Sequence, residues 1–219
     1  LVDISRIEAL KGIKVSGKNV TIGAATTHYE VSTSDKLAKV CPALVHLASL
    51  IGDPAVRHRG TIGGSIANND PAADYPAAML ALGATIVTNK REIAAEKFFK
   101  GLFETALKDG EIVTAVTFTA PAKAGYEKFR NPASRYAMVG VFVSKGKGVT
   151  VAVTGAGDDG VFRSKELEAA LSKNFDASAL EGVSVPSSAL MSDMHASAEY
   201  RAHLITVMAK RAVTQANAG

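Results

Sequence analysis

The sequence predicts an α+β fold divided into two domains, and three observations support this prediction. Strand-like and helix-like segments both occur, but they do not alternate in the regular order of a doubly wound sheet. Hydrophobic residues make up 47% of the 219 positions and charged residues 21%, enough for one large or two modest cores. Residues 120–125, with the sequence APAKAG, have the composition of a linker. We therefore predict two domains, residues 1–120 and residues 125–219.

The first predicted domain opens with a hairpin and continues with helices. β-branched residues at 13–15 and 20–23 flank a turn cluster at 16–19. A helical pattern starts at Ser34, and Pro42 suits the first turn of a second helix. Leu44, Leu47, Ala48 and Ile51 then follow at helical spacing on one face. Further along, the pattern predicts a short helix at 76–82 and strands at 84–87 and 111–118.

The second predicted domain combines three strands with two helices. The strands are expected at 126–129, 137–144 and 149–154, and a tight turn at 145–148 joins the last two. Helices are expected at 165–172 and 196–216. In the longer helix we expect Tyr200, Leu204, Val207 and Arg211 to share one face, because they are spaced at helical intervals.

Composition and charge exclude several classes of function. No apolar run approaches the roughly 18 residues of a membrane-spanning helix. The net charge of +4 comes from scattered Lys and Arg, and the chain has no Trp, which argues against nucleic-acid binding. We see no signal peptide and expect a cytoplasmic protein. The chain begins at Leu1 rather than Met, so we expect a fragment that enters its fold in mid-strand.

The supply of metal ligands limits the redox chemistry. One cysteine, Cys41, cannot hold an iron–sulfur cluster, which needs about four ligands. It cannot form an intrachain disulfide either. The five histidines lack metal-ligand spacing, and we expect packed or surface roles for them. Redox chemistry in this chain would therefore require an organic cofactor or a metal on a partner.

The most informative stretch is residues 51–74, IGDPAVRHRGTIGGSIANNDPAAD. Gly60, Gly63 and Gly64 lie within five positions, followed by short polar side chains. Glycine permits positive φ and close approach of an anion to backbone amides, so the stretch reads as an anion-binding loop. Its spacing matches neither the Rossmann motif nor the Walker A motif, which disfavours a simple NAD or ATP site. On glycine count alone, a plain surface turn remains the alternative.

This stretch resembles the second flavin-binding motif of the middle subunits of molybdenum hydroxylases, the family of xanthine dehydrogenase and aerobic carbon monoxide dehydrogenase. Further resemblances are LVDI at 1–4, IGAATTH at 22–28, FFKG at 98–101, YEKF at 126–129 and ASAEYR at 196–201. They cover essentially the whole chain in the right order. The resemblance implies an FAD-binding domain of the vanillyl-alcohol-oxidase (PCMH) type, lacking its first lobe. A small α+β C-terminal domain of the carbon monoxide dehydrogenase flavoprotein kind would follow.

The resemblance also assigns roles to individual residues. The segment Thr61, Ile62, Gly63, Gly64 and Ser65 would wrap the FAD pyrophosphate through its backbone amides. Ile51 would pack against the adenine, Asn68 would make a polar contact, and Asp74 would accept hydrogen bonds from the ribityl or ribose part. Tyr136 would lie near the isoalloxazine ring. Two alternatives remain open, namely that Asp74 caps the helix before Pro76 and that Tyr136 only packs in a strand.

Two departures from the family pattern stand out. The first flavin motif, an Ala-Gly-Gly-x-Ser loop, would precede Leu1 and is absent. If this fragment is all there is, we expect weaker FAD binding, since each lost charge-assisted hydrogen bond contributes about 1.5–3 kcal/mol. Arg135 stands where an acidic residue is common, which leaves the electrostatics around the flavin ring open.

The resemblance implies a subunit that relays electrons and has no catalytic residues or metal of its own. Substrate would be oxidised on a large partner subunit that holds the molybdenum cofactor. Electrons would pass through [2Fe-2S] clusters on a small partner to FAD on this chain, and then to an external acceptor. The alternatives are a flavin-free docking fragment of the same complex and, third, a stand-alone flavin oxidase, for whose extra substrate domain the chain has no room.

Overall fold

A computed structural model describes residues 2–218, and it combines two antiparallel sheets with helices. The bounds of the strands are β1 Ile13–Ser16, β2 Asn19–Gly23, β3 Thr85–Thr88, β4 Glu92–Ala94, β5 Phe99–Gly101, β6 Glu104–Thr105, β7 Val113–Thr119, β8 Lys123–Arg130, β9 Ala137–Lys145, β10 Val149–Thr154 and β11 Phe162–Arg163. The first sheet has the order β1-β2-β7-β3-β4, and the second has the order β11-β10-β9-β8. Strands β5 and β6 form a separate two-stranded hairpin. This architecture confirms the α+β prediction.

Helices fill the spaces around both sheets. They are α1 His28–Ser32, α2 Asp35–Ala38, α3 Pro42–Ser49, α4 Pro54–Arg59, α5 Ile62–Asn68, α6 Tyr75–Ala81, α7 Ala95–Phe98, α8 Lys165–Lys173 and α9 Ala198–Ala218, with short 3-10 turns at Glu8–Leu10 and Ala177–Leu180. No helix among residues 2–218 is long and apolar enough to cross a membrane.

Local sequence signals explain the first elements. In the predicted hairpin, β1 pairs with β2 around a turn in which Gly17 has φ +58°. Pro42 is the first residue of α3, as predicted, and Leu44, Leu47 and Ala48 are fully buried. The predicted strand at the start is not present, because Val2, Asp3 and Ile4 have no regular structure and Leu1 lies outside the described residues.

The second sheet is covered on both faces, which explains its composition. Helix α6 packs against β9 and β10 on one face, and α9 packs against β8 and β9 on the other. A strand buried on two faces needs apolar residues at successive positions, and all but the last residue of β9 is buried. A hydrophobic core, here called the first core, contains Val20, Ile22 and Leu44 from the first half of the chain. It also includes Tyr126, Phe142 and Ala152 from this sheet, so apolar packing continues between the two halves of the chain.

Two predictions for the second half are wrong. Lys123, Ala124 and Gly125 belong to β8 and are not a linker. A Cβ on Gly125 would overlap the carbonyl of Ala212, so this position is tightly packed against α9. The chain nevertheless passes from the first sheet to the second between Thr119, the last residue of β7, and Lys123, the first residue of β8. The division into two domains at residues 120–125 therefore stays a prediction.

The second wrong prediction concerns α9, because the face formed by Tyr200, Leu204, Val207 and Arg211 is not the buried face of the helix. Tyr200 and Arg211 are exposed, whereas Arg201 is buried with Leu204, Ile205 and Met208. The Arg201 side chain donates to the carbonyl oxygens of Met138 and Gly155, each at 2.7 Å. A buried arginine whose two terminal nitrogens are hydrogen-bonded occupies the core face, and apolar periodicity alone does not reveal it.

Candidate functional site

A cleft of about 490 Å³ opens between the two halves of the chain. This size is within the usual range for cofactor sites. Seven of the nine residues predicted to bind the cofactor line it, namely Ile51, Thr61, Gly64, Ser65, Asn68, Asp74 and Tyr136. The structure therefore brings together residues that lie up to 85 positions apart in sequence, from 51 to 136.

The other two predicted residues lie behind the wall of the cleft. Ile62 is fully buried in the first core, and Gly63 is buried beside it. A Cβ on Gly63 would overlap the Cβ of Ala24 and lie 2.7 Å from its carbonyl oxygen. Gly63 therefore allows α5 to pack closely on the chain that follows β2.

The predicted glycine-rich loop consists largely of helices α4 and α5. Asp53 caps α4 by accepting from the amide of Val56 at 2.9 Å, with Pro54 in the first turn. Thr61 caps α5 by accepting from the amide of Gly64 at 3.1 Å. Gly60 has φ −67°, and neither Gly63 nor Gly64 has positive φ. The prediction of an open loop with positive φ at these glycines is wrong.

The amides at the start of α5 already have partners inside the protein. Ile62 donates to the carbonyl of Thr26 at 3.1 Å, and Gly63 donates to the carbonyl of Ala24 at 2.9 Å. The amides of Gly64 and Ser65 both donate to Thr61, to its hydroxyl and its carbonyl respectively. A ligand in this cleft therefore meets the hydroxyls of Thr61 and Ser65 more readily than free backbone amides.

Asp74 lies in the floor of the cleft, and two side chains of β8 bind its carboxylate. Its carboxylate accepts a hydrogen bond from the Tyr126 hydroxyl and pairs with the Lys128 ammonium at 2.9 Å. Although Asp74 precedes α6, its side chain makes no capping hydrogen bond, so the helix-cap alternative is wrong. Burial raises the pKa of the Asp74 carboxyl, and the charge of Lys128 acts in the opposite direction.

Lys128 was not predicted as a site residue, although the sequence carries a signal that it faces the core. Alternate residues of a strand face the same side, so Lys128 shares a face with the fully buried Tyr126. A lysine on the buried face of a strand indicates a paired charge. The side chain of Lys128 is only 1% exposed.

His28 was assigned no site role from the sequence, yet it lines the cleft and is 5% exposed. Its Nδ1 is enclosed and has no hydrogen-bond partner among the described residues. Burial, aided by the charge of Arg57, lowers the pKa of His28 to about 4, so the imidazole is neutral near pH 7. A neutral imidazole offers one donor and one acceptor.

Tyr136 and Arg135 form the rim of the cleft on the side of the second sheet. Tyr136 precedes β9 and is 51% exposed, so its alternative role as a packed strand residue is wrong. Arg135 has φ +63°, an unusual backbone conformation for a residue other than glycine. With Arg59 and Lys128, Arg135 gives the cleft three cationic side chains against the carboxylates of Asp70 and Asp74.

No group of three or more potential metal-ligating side chains converges within residues 2–218, and Cys41 is a buried free thiol. Burial raises the pKa of this thiol to about 11.

Comparisons with known proteins identify the family of this chain. Residues 1–121 match the family described as the FAD binding domain in molybdopterin dehydrogenase. The chain is 35% identical to the carbon monoxide dehydrogenase medium chain of Afipia carboxidovorans, over 100% of this chain and 81% of the relative. It is 32% identical to the glyceraldehyde dehydrogenase medium chain of Sulfolobus acidocaldarius, over 97% of this chain and 81% of the relative.

Solved structures show the same fold. A carbon monoxide dehydrogenase chain from Oligotropha carboxidovorans superposes with a TM-score of 0.84 and 31% identity, covering 96% of this chain and 79% of that chain. A chain of quinoline 2-oxidoreductase from Pseudomonas putida gives a TM-score of 0.84 at 26% identity, covering 99% and 81%. These likenesses extend over both sheets, beyond the residues that match the FAD-binding family.

Proposed function

Because this chain belongs to the family of FAD-binding medium subunits of molybdenum hydroxylases, we propose that it binds FAD in the cleft between its two sheets. The observation that carries the proposal is the convergence of seven predicted cofactor residues on one cleft. Medium subunits of this kind are parts of oxidoreductases, and this chain is accordingly an oxidoreductase subunit.

The residues of the cleft fit the chemistry of a dinucleotide. Arg59 and Arg135 supply positive charge for the phosphates, and Thr61 and Ser65 supply hydroxyl donors. The buried carboxylate of Asp74 is an acceptor for ribityl or ribose hydroxyls. Ile51, which is half-buried at the edge of the first core, gives an apolar surface for the adenine. Asn68 adds an amide that can donate and accept, and Tyr136 offers an exposed ring for the isoalloxazine.

Within a complex, the chain would relay electrons. We propose that substrate is oxidised on a large partner with the molybdenum cofactor, and that a small iron–sulfur partner passes the electrons on. Bound FAD supplies the exchange of electrons with these clusters and with an external acceptor. The residues of this chain bind and orient the cofactor and set the charge around it, while the clusters and the molybdenum cofactor belong to the partners.

The decisive experiment is purification of the chain, alone and with its large and small partners, followed by a flavin absorbance spectrum and reconstitution with FAD. We expect stoichiometric FAD in the complex, and bleaching of its absorbance when the substrate of the complex is added without an acceptor. A folded, assembled complex that holds no flavin and takes up none would refute the proposal and favour a flavin-free docking role.

A further inference from the structure

His28 lines the cleft, and its ring includes a buried nitrogen that lacks a hydrogen-bond partner among the described residues. His28 is 5% exposed, and within residues 2–218 neither its Nδ1 nor the fully buried hydroxyl of Tyr75 makes a hydrogen bond. The two rings are adjacent, with centroids 5.4 Å apart. Because no acceptor lies beside Nδ1 among the described residues, a proton on Nδ1 would be a buried donor without a partner, and the neutral ring is better served by a proton on Nε2, where a ligand can accept it.

Gly60 gives the other ring nitrogen of His28, Nε2, room beside the backbone. A Cβ on Gly60 would come 2.5 Å from Nε2 of His28, whereas the glycine leaves this nitrogen room beside the backbone. His28 and Gly60 both line the cleft, next to Thr61. Gly60 therefore lets the imidazole of His28 lie close to the backbone. A positive φ is not the reason for a glycine at this position, because its φ is −67°.

The hydrogen bonds at the start of α5 restrict how the cleft can bind an anion. The amides of Ile62, Gly63, Gly64 and Ser65 all have partners within the protein. Donors to a phosphate must therefore come mainly from side chains. Near Thr61 these are its own hydroxyl, that of Ser65, the guanidinium of Arg59 and the imidazole of His28.

We propose that His28 is a cofactor-binding residue, whose Nε2–H donates a hydrogen bond to the diphosphate of the dinucleotide bound in the cleft. This inference rests on the proposed function and adds a residue and a binding mode to it. A neutral imidazole carries its single proton on either nitrogen, and an anionic acceptor beside Nε2 fixes the proton there. The diphosphate is then held by side chains where backbone amides were predicted to hold it.

The test compares three variants of the full chain. In His28→Phe the ring still packs against Tyr75 but the donor is lost, whereas His28→Gln keeps a donor near the position of Nε2. His58→Phe is the matched control, because His58 is an exposed histidine of neighbouring helix α4 whose ring stacks on Tyr29. Dissociation constants are measured for FAD and for ADP, which shares the diphosphate but lacks the flavin.

Loss of one hydrogen bond to a charged group should weaken both ligands about tenfold or more in His28→Phe. His28→Gln should stay within about threefold of the unaltered chain, as should His58→Phe. Weakening of FAD binding alone would place His28 at the flavin and overturn the phosphate assignment. Unchanged affinity for both ligands in His28→Phe would overturn the inference while leaving FAD binding intact.

A measurement on the unaltered chain covers the case in which His28→Phe does not fold. With ¹⁵N-labelled histidine, addition of ADP should give His28 the NMR signature of an imidazole protonated at Nε2. A His28 that stays unprotonated at Nε2, or whose signals do not change, contradicts the inference. Failure of the unaltered chain, assembled with its large and small partners, to bind either FAD or ADP would instead refute the proposed function itself.

Discussion

The ammonium of Lys128 lies 2.9 Å from the carboxylate of Asp74, and this buried pair joins the two halves of the chain at the floor of the cleft. Asp74 precedes α6, whereas Lys128 lies in β8 of the second sheet. The Tyr126 hydroxyl donates to the same carboxylate. The ion pair therefore contributes both to the contact between the sheets and to the charge of the site.

Breaking this pair from one side should destabilise the fold. In Lys128→Met the Asp74 carboxylate stays buried without its cation, and we expect a loss of about 3 kcal/mol in the free energy of unfolding. Combining Lys128→Met with Asp74→Asn removes both charges and should recover more than half of that loss. Urea denaturation measures these values, with Lys123→Met on the exposed part of β8 as control. A Lys128→Met chain as stable as the control would show that the pair contributes little.

Gly63 and Gly64 should respond differently to substitution, although they are adjacent. A methyl group in Gly63→Ala overlaps Ala24, and we expect destabilisation of about 1–3 kcal/mol from overpacking. Gly64 is exposed in the cleft, where an added Cβ would meet only the Thr61 hydroxyl, at 3.0 Å. Gly64→Val should therefore keep a folded C-terminal half and lose FAD. Thermal unfolding and flavin occupancy separate the two effects, and full occupancy in Gly64→Val would contradict this placement of the site.

Short-range signals made much of the fold predictable. The turn residues between β1 and β2 and the apolar run of β9 specify their elements locally, and the structure has both. Helices α4 and α5 were missed even though their starts carry ordinary signals, a capping Asp53 before Pro54 and a capping Thr61. Glycine is intrinsically unfavourable in a helix, so the three glycines favoured a loop in the prediction. The packing that makes glycine acceptable in α5 involves distant segments and could not be read from the local sequence.

The site was only partly predictable, for a physical reason. The family resemblance supplied residues that follow one another along the chain, such as Thr61, Gly64 and Ser65. Lys128 and His28 depend on contacts between distant segments, since Asp74 and Lys128 are 54 positions apart. A buried charge is recognisable as part of a site only when its partner is known. Strand alternation could have shown that Lys128 faces the core, but not which carboxylate it meets.

His28 should make stability depend on pH in a defined window. Its pKa is about 4 in the folded chain and about 6.5 when exposed, so the unfolded chain binds the proton more readily. The stability that the neutral form provides is present above pH 6.5 and is lost as the pH falls from about 6.5 to 4. The loss approaches about 1.4 kcal/mol per pH unit within this window.

The measurement is the free energy of unfolding between pH 4.5 and 7.5, a window set by these two pKa values. In His28→Phe this contribution is absent. The free energy of unfolding of the unaltered chain, minus that of the variant, should therefore decrease steadily as the pH falls. His58→Phe should follow the unaltered chain. Parallel pH curves for the unaltered chain and His28→Phe would mean that the imidazole is not held neutral in the folded protein.

Arg201 should anchor α9 more strongly than any exposed charge on that helix. Its guanidinium is 3% exposed and donates to Met138 and Gly155 carbonyls and to Asp193, each at 2.7 Å. Arg201→Met leaves these acceptors without their donor, and we expect a loss of about 3–5 kcal/mol. Asp193→Asn should lose only about 1 kcal/mol or less, because Asp193 is 43% exposed and its pair is partly screened by solvent.

The matched control is Arg211→Met, an exposed arginine farther along the same helix. Urea denaturation of the three variants should give the order Arg211→Met, Asp193→Asn, Arg201→Met from most to least stable. Lysine at position 201 should fall between the last two, because one ammonium cannot reproduce the geometry of a guanidinium that spans two carbonyls and a carboxylate. If Arg201→Met matched Arg211→Met, the buried guanidinium would not hold α9 on the sheet, and apolar packing along Leu204, Ile205 and Met208 would suffice.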